Sequence, residues 1–203
     1  ELVVFHDSDL TRTTDGAGQL QDCSLDELNR LSAGKWYGEE FRDERIPTLE
    51  EVLKLVDGAV EINVEVKNLP FTQEGIEEDL VALMDNYQFM DKIIFSSFDH
   101  RVIEKLRKLR PQWQYAALMV GVPVNIIDYA RSLGADFWHP NHHTVDRESI
   151  ALFREAGLKV NPWTVNEERD WSTMLEYGVS GIITDRPSEL KQFLAQVSTL
   201  VNS

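Results

Sequence analysis

Cys23 is the only cysteine in the 203 residues, so no disulfide can form within the chain, and the composition suits a reducing, cytoplasmic compartment. No basic group adjoins it, so Cys23 reads as a small apolar side chain rather than a nucleophile. Basic residues are scarce too: 20 Lys and Arg stand against 35 Asp and Glu, a formal net charge of −15. A surface of that sign repels nucleic acid and anionic lipid headgroups. Long apolar runs are missing, the longest falling far short of the roughly 20 residues of a spanning helix, so stable membrane insertion is not expected. No secretory leader is recognisable, and the chain opens on Glu1 and runs straight into an apolar stretch, as if an upstream portion preceded it. What is present is ample for one domain: 42% hydrophobic and 27% charged residues are globular proportions, and the length allows a substantial core.

The first informative stretch is residues 2–18, LVVFHDSDLTRTTDGAG. Val3, Val4 and Phe5 read as a buried strand that stops at His6 and Asp7, after which only Leu10 and Ala17 interrupt polar residues and glycines. An imidazole at the end of a rigid strand is held firmly yet reaches substrate, the position acid or base catalysis requires. The alternative is a surface His beside a helix-capping Asp. Gly16-Ala17-Gly18 lacks the third glycine and the strand-to-helix setting of a nucleotide loop.

Residues 19–56 have the features of a small covering insertion. Ser24-Leu25-Asp26-Glu27 is a capping box opening a helix through Leu28 and Leu31, ended at Ala33-Gly34. Trp36, Tyr37 and Phe41 follow in a loop as expected core anchors. Thr48 to Glu51 offers a second capping box, with Val52, Leu53, Leu55 and Val56 as the buried stripe. Beyond Asp57-Gly58 the chain alternates. Apolar strands begin near Ile62, Ile93, Gln114, Ala135, Leu158 and Ser180, the last five about 22 residues apart, each with a helix after it. Asp99 caps a stripe of Val102, Ile103, Leu106 and Leu109; Asn166 caps Trp171, Met174 and Leu175, which Gly178 ends; the last helix, from Pro187, buries Leu190, Phe193, Leu194 and Val197. Such alternation implies α/β architecture with parallel strands. An open doubly wound sheet and a barrel both fit the count. Polar residues at many strand ends favour the barrel, whose site is assembled on that rim.

The strand EINVEVKN, residues 61–68, puts Ile62, Val64 and Val66 on one face and Asn63, Glu65 and Lys67 on the other. A carboxylate and an ammonium facing a barrel interior must be paired with each other or bound to a metal or ligand. If the substrate is a phosphate ester, a divalent cation would be a compact source of the positive charge that a −15 chain needs locally. Later strands end in Phe98, in His139-Pro140-Asn141-His142-His143 and in Trp163. His139 and Asn141 are the pair expected to face the site. No His, Cys or carboxylate spacing here is diagnostic of a transition metal. Asp185 reads as a loop and cap residue.

These motifs together resemble the glycerophosphodiester phosphodiesterase family. His6-Asp7, Leu10, Arg12-Thr13-Thr14, Gly16 and Gly18 match its His-Asp segment; Ala33-Gly34, Phe41 and 46–53 match its insertion. Asn63, Glu65 and Lys67 match its Asn-x-Glu-x-Lys strand, while 96–98, 163–166 and 178–187 match its SSF, WTVN and GVDGIITDxP segments. The resemblance implies a (β/α)8 TIM-type barrel over residues 1–203, with the insertion at 19–56. It implies His6 as a catalytic acid/base, Glu65 as a ligand to Mg²⁺ or Ca²⁺, Lys67 on the phosphate, and Phe98 and Trp163 as walls. Asn63, His139 and Asn141 are further candidates. The family's His-Arg-Gly and Glu-x-Asp strands have no counterpart, as if about two βα units were absent, so a polypeptide truly beginning at Glu1 is expected to show little or no activity. Open sheet edges are compatible with homo-oligomers.

The implied reaction is metal-dependent hydrolysis of a small glycerophosphodiester to sn-glycerol 3-phosphate and an alcohol, within glycerophospholipid degradation. The alternatives are a barrel phosphodiesterase acting on lysophospholipids or phosphoinositides, and an inactive barrel fragment with a binding role.

Overall fold

A computed structural model describes residues 1–201, with side chains described to residue 197. The chain divides into two compact units, one made of Glu1–Ile62 and Lys67–Lys92, the other of Asn63–Val66 and Ile93–Ser203.

In the first unit the core is built from Leu10, Leu28 and Ile46, with Phe5, Leu20 and Leu31 packed around them. Helix α1 (Leu25–Leu28) and helix α2 (Leu49–Val56) both start with the expected reciprocal capping. Ser24 and Thr48 accept the backbone N–H three residues on, and Glu27 and Glu51 accept the N–H of the cap, which satisfies two otherwise orphan donors each time. Helix α3 (Ile76–Met84) buries Leu80, Val81 and Met84.

Several expectations for this unit are corrected. Val3, Val4 and Phe5 form no buried strand: Val3 makes a single antiparallel bridge to Thr48, and Val4 is exposed. Among the described residues this stretch is tied to the 47–49 segment, with Val4 N–H donating to Pro47 O and Leu49 N–H to Leu2 O. Helix α1 stops at Leu28 rather than reaching Leu31, and Cys23 is half-buried. Leu55 is 86% exposed, because two residues beyond buried Leu53 is about 200° round a helix. Trp36, Tyr37 and Phe41 are exposed rather than core. The Trp36 indole N–H donates to Ala33 O, and the three rings contact one another in sequence at 5.7 and 5.5 Å.

The second unit holds a five-stranded sheet: β1 (Ile62–Glu65, entered from the first unit at Ile62), β2 (Ile93–Ser97), β3 (Gln114–Met119), β4 (Phe137–Pro140) and β5 (Lys159–Val160), in sequence order. The pairs β2–β3, β3–β4 and β4–β5 are parallel. Between and after the strands run α4 (His100–Leu109), α5 (Ile126–Leu133), α6 (Arg147–Glu155), α7 (Glu168–Tyr177) and α8 (Pro187–Val201). One sheet face packs on the helices: Ala117, Trp138 and Val160 meet Ile126, Ala130, Ile150 and Phe153 in one apolar cluster. Burying such side chains away from water is the dominant favourable term in folding. The register Ser96↔Ala116↔Phe137 and Leu118↔His139 then assigns Ser96, Phe137 and His139 to the opposite face.

The sixth strand is not formed as a strand. Residues 180–183 are nonetheless held alongside β5, with Ser180 N–H on Val160 O and Ile183 N–H on Pro162 O. Asn166 does not cap α7, whose N-cap is Glu167; its carboxamide instead accepts from Asp185 N–H and Thr184 Oγ1 and donates to Asp185. Gly178 ends α7 in the left-handed region at φ 77°, as expected. Leu109 and Leu194 are exposed, Leu109 because α4 ends there and the chain turns away at Arg110.

The aromatic loop of the first unit depends on Gly34. A β-carbon there would lie 2.2 Å from Phe41 O and 2.7 Å from Phe41 Cβ, distances no repacking of a flexible tip can relieve. Gly34→Ala is expected to cost about 1–3 kcal/mol in urea denaturation; a variant as stable as the parent would show that the 34–41 loop is not held as described.

Candidate active site

The His6 side chain is 73% exposed, and its Nδ1 lies 2.7 Å from Asp7 Oδ1. Asp7 in turn accepts from both arms of the Arg12 guanidinium, Nε to Oδ2 at 2.5 Å and Nη2 to Oδ1 at 2.9 Å, the fork geometry that suits a carboxylate. Hydrogen bonds from Arg12 and then His6 hold the Asp7 carboxyl far below the usual carboxylate range. With the Asp7 carboxylate as the acceptor, Nδ1 is the nitrogen that donates, and Nε2 is the one turned away from Asp7. No helix directly follows Asp7, so it is not a helix cap, while His6 does lie at the surface, as the alternative reading had it. Asp9 turns the following loop by accepting the N–H and hydroxyl of Thr11.

Strand β1 carries Asn63, exposed, and Glu65, half-buried; Lys67, just past it, belongs to the first unit and is half-buried. Val66 N–H donates to Ser96 O at 2.7 Å, and Ser97 Oγ donates to Val66 O at 2.7 Å. This ladder phase puts Val66 beside Ser97 on the helix face and Glu65 beside Ser96 on the polar face. The alternation read from EINVEVKN is thus present in the fold.

At the C-terminal ends of the later strands, four predicted residues come together in the second unit. Phe98 and Trp163 meet edge to face at 5.4 Å, both with exposed ring surface. The Trp163 indole N–H donates to His139 O at 2.7 Å, and Trp163 bridges in parallel to Asn141. The Asn141 side-chain oxygen accepts His143 N–H. His139 is 1% exposed, and burial pushes its imidazole down to about 4, so it is neutral at ordinary pH. Asp185 accepts from Asn166, consistent with a loop role.

Three contributors were not picked out as site residues from sequence. The Arg12–Asp7 clamp had a signal, an acid adjoining His6 and a base five residues on. Asn161, which meets His139 Nε2 at 3.2 Å, and His142, whose backbone N–H and Nδ1 both contact Trp163 O, had none, because strand register brings them into place. Among the described residues, no three His, Cys, Asp or Glu side chains gather into a metal cluster. Glu65 supplies an oxygen of the kind hard cations prefer, but one carboxylate does not complete a shell. A cavity of about 270 Å³ lies at the other end of the sheet, lined by Gln114, Asp136 and Lys159, away from these groups.

A parallel α/β sheet with polar groups on its C-terminal rim is a feature of barrel-type enzymes. The model of the glycerophosphoryl diester phosphodiesterase family matches residues 1–189, and the chain belongs to that family. It is 37% identical over 190 residues to a glycerophosphodiester phosphodiesterase of Caldanaerobacter subterraneus subsp. tengcongensis, covering 93% of this chain and 78% of the relative. A glycerophosphodiester phosphodiesterase of Bacillus altitudinis is 35% identical over 190 residues, 92% and 78% of the two chains. Among solved structures, an Oleispira antarctica phosphodiesterase in complex with the product sn-glycerol-3-phosphate superposes with a TM-score of 0.87 at 28% identity, covering 95% of this chain and 79% of that one. The fold class is that of these barrel enzymes. Members of the family generally require a divalent cation.

Because Asp7 is held ionised, its contribution to stability is full above its unfolded pKa of about 4 and is lost as pH falls toward its folded value. Asp7→Asn is expected to lower stability by about 1 kcal/mol at pH 7, a difference that shrinks below about pH 4 in urea titrations. A difference independent of pH would show that the carboxylate charge is not what matters.

Proposed function

We propose that this chain carries the machinery of a glycerophosphodiester phosphodiesterase, releasing sn-glycerol 3-phosphate and an alcohol from a small water-soluble diester. The observation that carries this reading is the coincidence of family membership with the Arg12–Asp7–His6 chain, which prepares one imidazole nitrogen for proton transfer. In the reaction a water molecule attacks phosphorus directly, or the substrate's own 2-hydroxyl attacks first and water then opens the cyclic phosphodiester; either way the attacking oxygen gives its proton to a general base and the bond to the alcohol oxygen breaks. Protonated His6 passes its Nε2 proton to that departing oxygen, which spares it leaving as an alkoxide. Lys67 adds positive charge toward the phosphoryl oxygens, and Phe98 and Trp163 wall the glycerol moiety. Asn63 and Asn141 are polar neighbours. Glu65 would contribute an oxygen to a divalent cation, Mg²⁺ or Ca²⁺, which when bound withdraws charge from the phosphoryl group. We take residues 1–203 as one catalytic domain with 19–56 as a covering segment, working in the cytoplasm, a compartment the lone Cys23 suits.

A second reading has its own observation. The exposed rings of Trp36, Tyr37 and Phe41 would accept an acyl chain, which favours a lysophospholipid as substrate. No helix among the described residues is long and apolar enough to cross a membrane.

The test is release of glycerol 3-phosphate from glycerophosphocholine, set against lysophosphatidylcholine, by the protein that carries this chain with Mg²⁺ or Ca²⁺ supplied. Turnover of the first substrate is expected, with His6→Ala and Glu65→Ala each losing at least about 100-fold in kcat while circular dichroism stays unchanged. Preference for the lysophospholipid would move the assignment to the second reading, and turnover of neither would leave a binding role.

A further inference from the structure

His100 and His139 are both drawn into the second unit, but only one of them is accounted for by packing. His100 has a partner on each ring nitrogen: Nδ1 meets Tyr129 Oη at 2.6 Å, and Nε2 meets Leu118 O at 2.8 Å. His139 is buried more completely, yet its Nδ1 has no hydrogen-bond partner among the described residues. Its Nε2 faces the Asn161 Nδ2 at 3.2 Å. An amide NH₂ can only donate, so Nε2 is the acceptor, and in a neutral imidazole the proton then sits on Nδ1. An enclosed N–H without an acceptor is unfavourable, and a core position with no other duty would be served better by an apolar side chain.

What this arrangement does accomplish is to set the Asn161 carboxamide. With its NH₂ drawn toward His139, Oδ1 is turned toward Gly181, where a β-carbon would come within 2.9 Å of it. Glycine at 181 leaves that oxygen room. Asn161 is half-buried, precedes Trp163 by two residues on the same strand extension, and shares with Trp163 the anchor residue His139. Because burial keeps His139 uncharged, the Nε2 acceptor persists across ordinary pH and the amide is not flipped by protonation. A carboxamide presents an acceptor and a donor without net charge. That pattern complements a hydroxyl, which also donates and accepts, better than it complements a phosphate or an ammonium.

We propose that Asn161 is a hydroxyl-reading residue for the glycerol moiety, with His139 as its positioning residue. This rests on the glycerophosphodiester reading above and deepens it. Asn161 meets an alcohol hydroxyl of the glycerol unit beside Trp163, and His139, too enclosed to touch substrate itself, fixes which way the amide points.

The experiment measures calorimetric affinities for sn-glycerol 3-phosphate and for inorganic phosphate, with the same divalent cation throughout. Wild type is expected to prefer glycerol 3-phosphate. Asn161→Leu should weaken glycerol 3-phosphate about tenfold while leaving inorganic phosphate unchanged, the scale of a lost buried hydrogen bond. His139→Phe should produce the same selective loss, and His139→Gln, which restores a neutral acceptor, should recover most of it. Near-UV circular dichroism checks folding, and half-buried Asn161→Leu carries the test if the core variant fails to fold. Equal weakening of both ligands, or an unchanged preference in Asn161→Leu, would overturn the assignment. So would a wild type that hydrolyses the diester but binds glycerol 3-phosphate no better than phosphate. A wild type that neither hydrolyses the diester nor binds glycerol 3-phosphate would overturn the functional reading as well, which keeps the two failures distinguishable.

Discussion

Alternation of side chains across a pleated parallel sheet is the constraint from which the second unit follows. A strand that buries every second residue against helices must present the residues between them to the other face. Here the helix-side set is Tyr115, Ala117, Trp138 and Val160, all fully buried. The intervening set includes Glu65, Ser96, His139 and Asn161. The apolar cluster against α5 and α6 holds the sheet in register, and that register brings His139 and Asn161 within hydrogen-bonding distance from strands about 20 residues apart. A slip of one residue would exchange the two sets, so packing on one face guarantees the polar arrangement of the other.

The first unit achieves order by a different route. Its short helices are fixed by reciprocal caps, and its loops by carboxylates that accept backbone N–H groups, as Asp9 does for nearby Thr11 and Asp15 for Ser32, 17 residues on. The Arg12–Asp7–His6 chain belongs to this style of construction. Residues close in sequence build it, so it needs no long-range register, and it leaves the imidazole largely in solvent. The His6 imidazole and the polar sheet face therefore rest on independent physical supports.

That difference decides what could be read in advance. Strand positions at 62, 93, 114 and 158 follow from apolar runs, and the capping boxes at Ser24 and Thr48 follow from local chemistry, so both were legible. Asn166 was misread because a good capping residue was offered a better set of partners at Thr184 and Asp185, which lie 18 and 19 residues away. Val3 to Phe5 was misread because an apolar run declares that it will be buried but not whether neighbours exist on both sides. The aromatic loop was misread for a related reason: Trp36 satisfies its only polar atom locally, on Ala33 O, and leaves its ring faces outside. Of the candidate site residues, His6, Glu65, Lys67, Phe98 and Trp163 are nominated by motif, and their roles remain proposals. The contact of Asn161 with His139 had no such signal, since nothing in its neighbours along the chain indicates a histidine 22 residues upstream.

Glycerophosphodiester hydrolysis with His6 supplying the proton to the departing alcohol is tested most directly by varying the leaving group. Choline is a poor leaving group and needs that proton, whereas 4-nitrophenolate departs readily without it. Comparing His6→Ala with wild type on the choline and 4-nitrophenyl esters of glycerol phosphate separates the two cases. General-acid catalysis by His6 predicts a loss of about 100-fold or more on the choline ester and a much smaller loss on the nitrophenyl ester. Equal losses on both esters would contradict it and would reduce His6 to a residue that binds substrate or holds the loop.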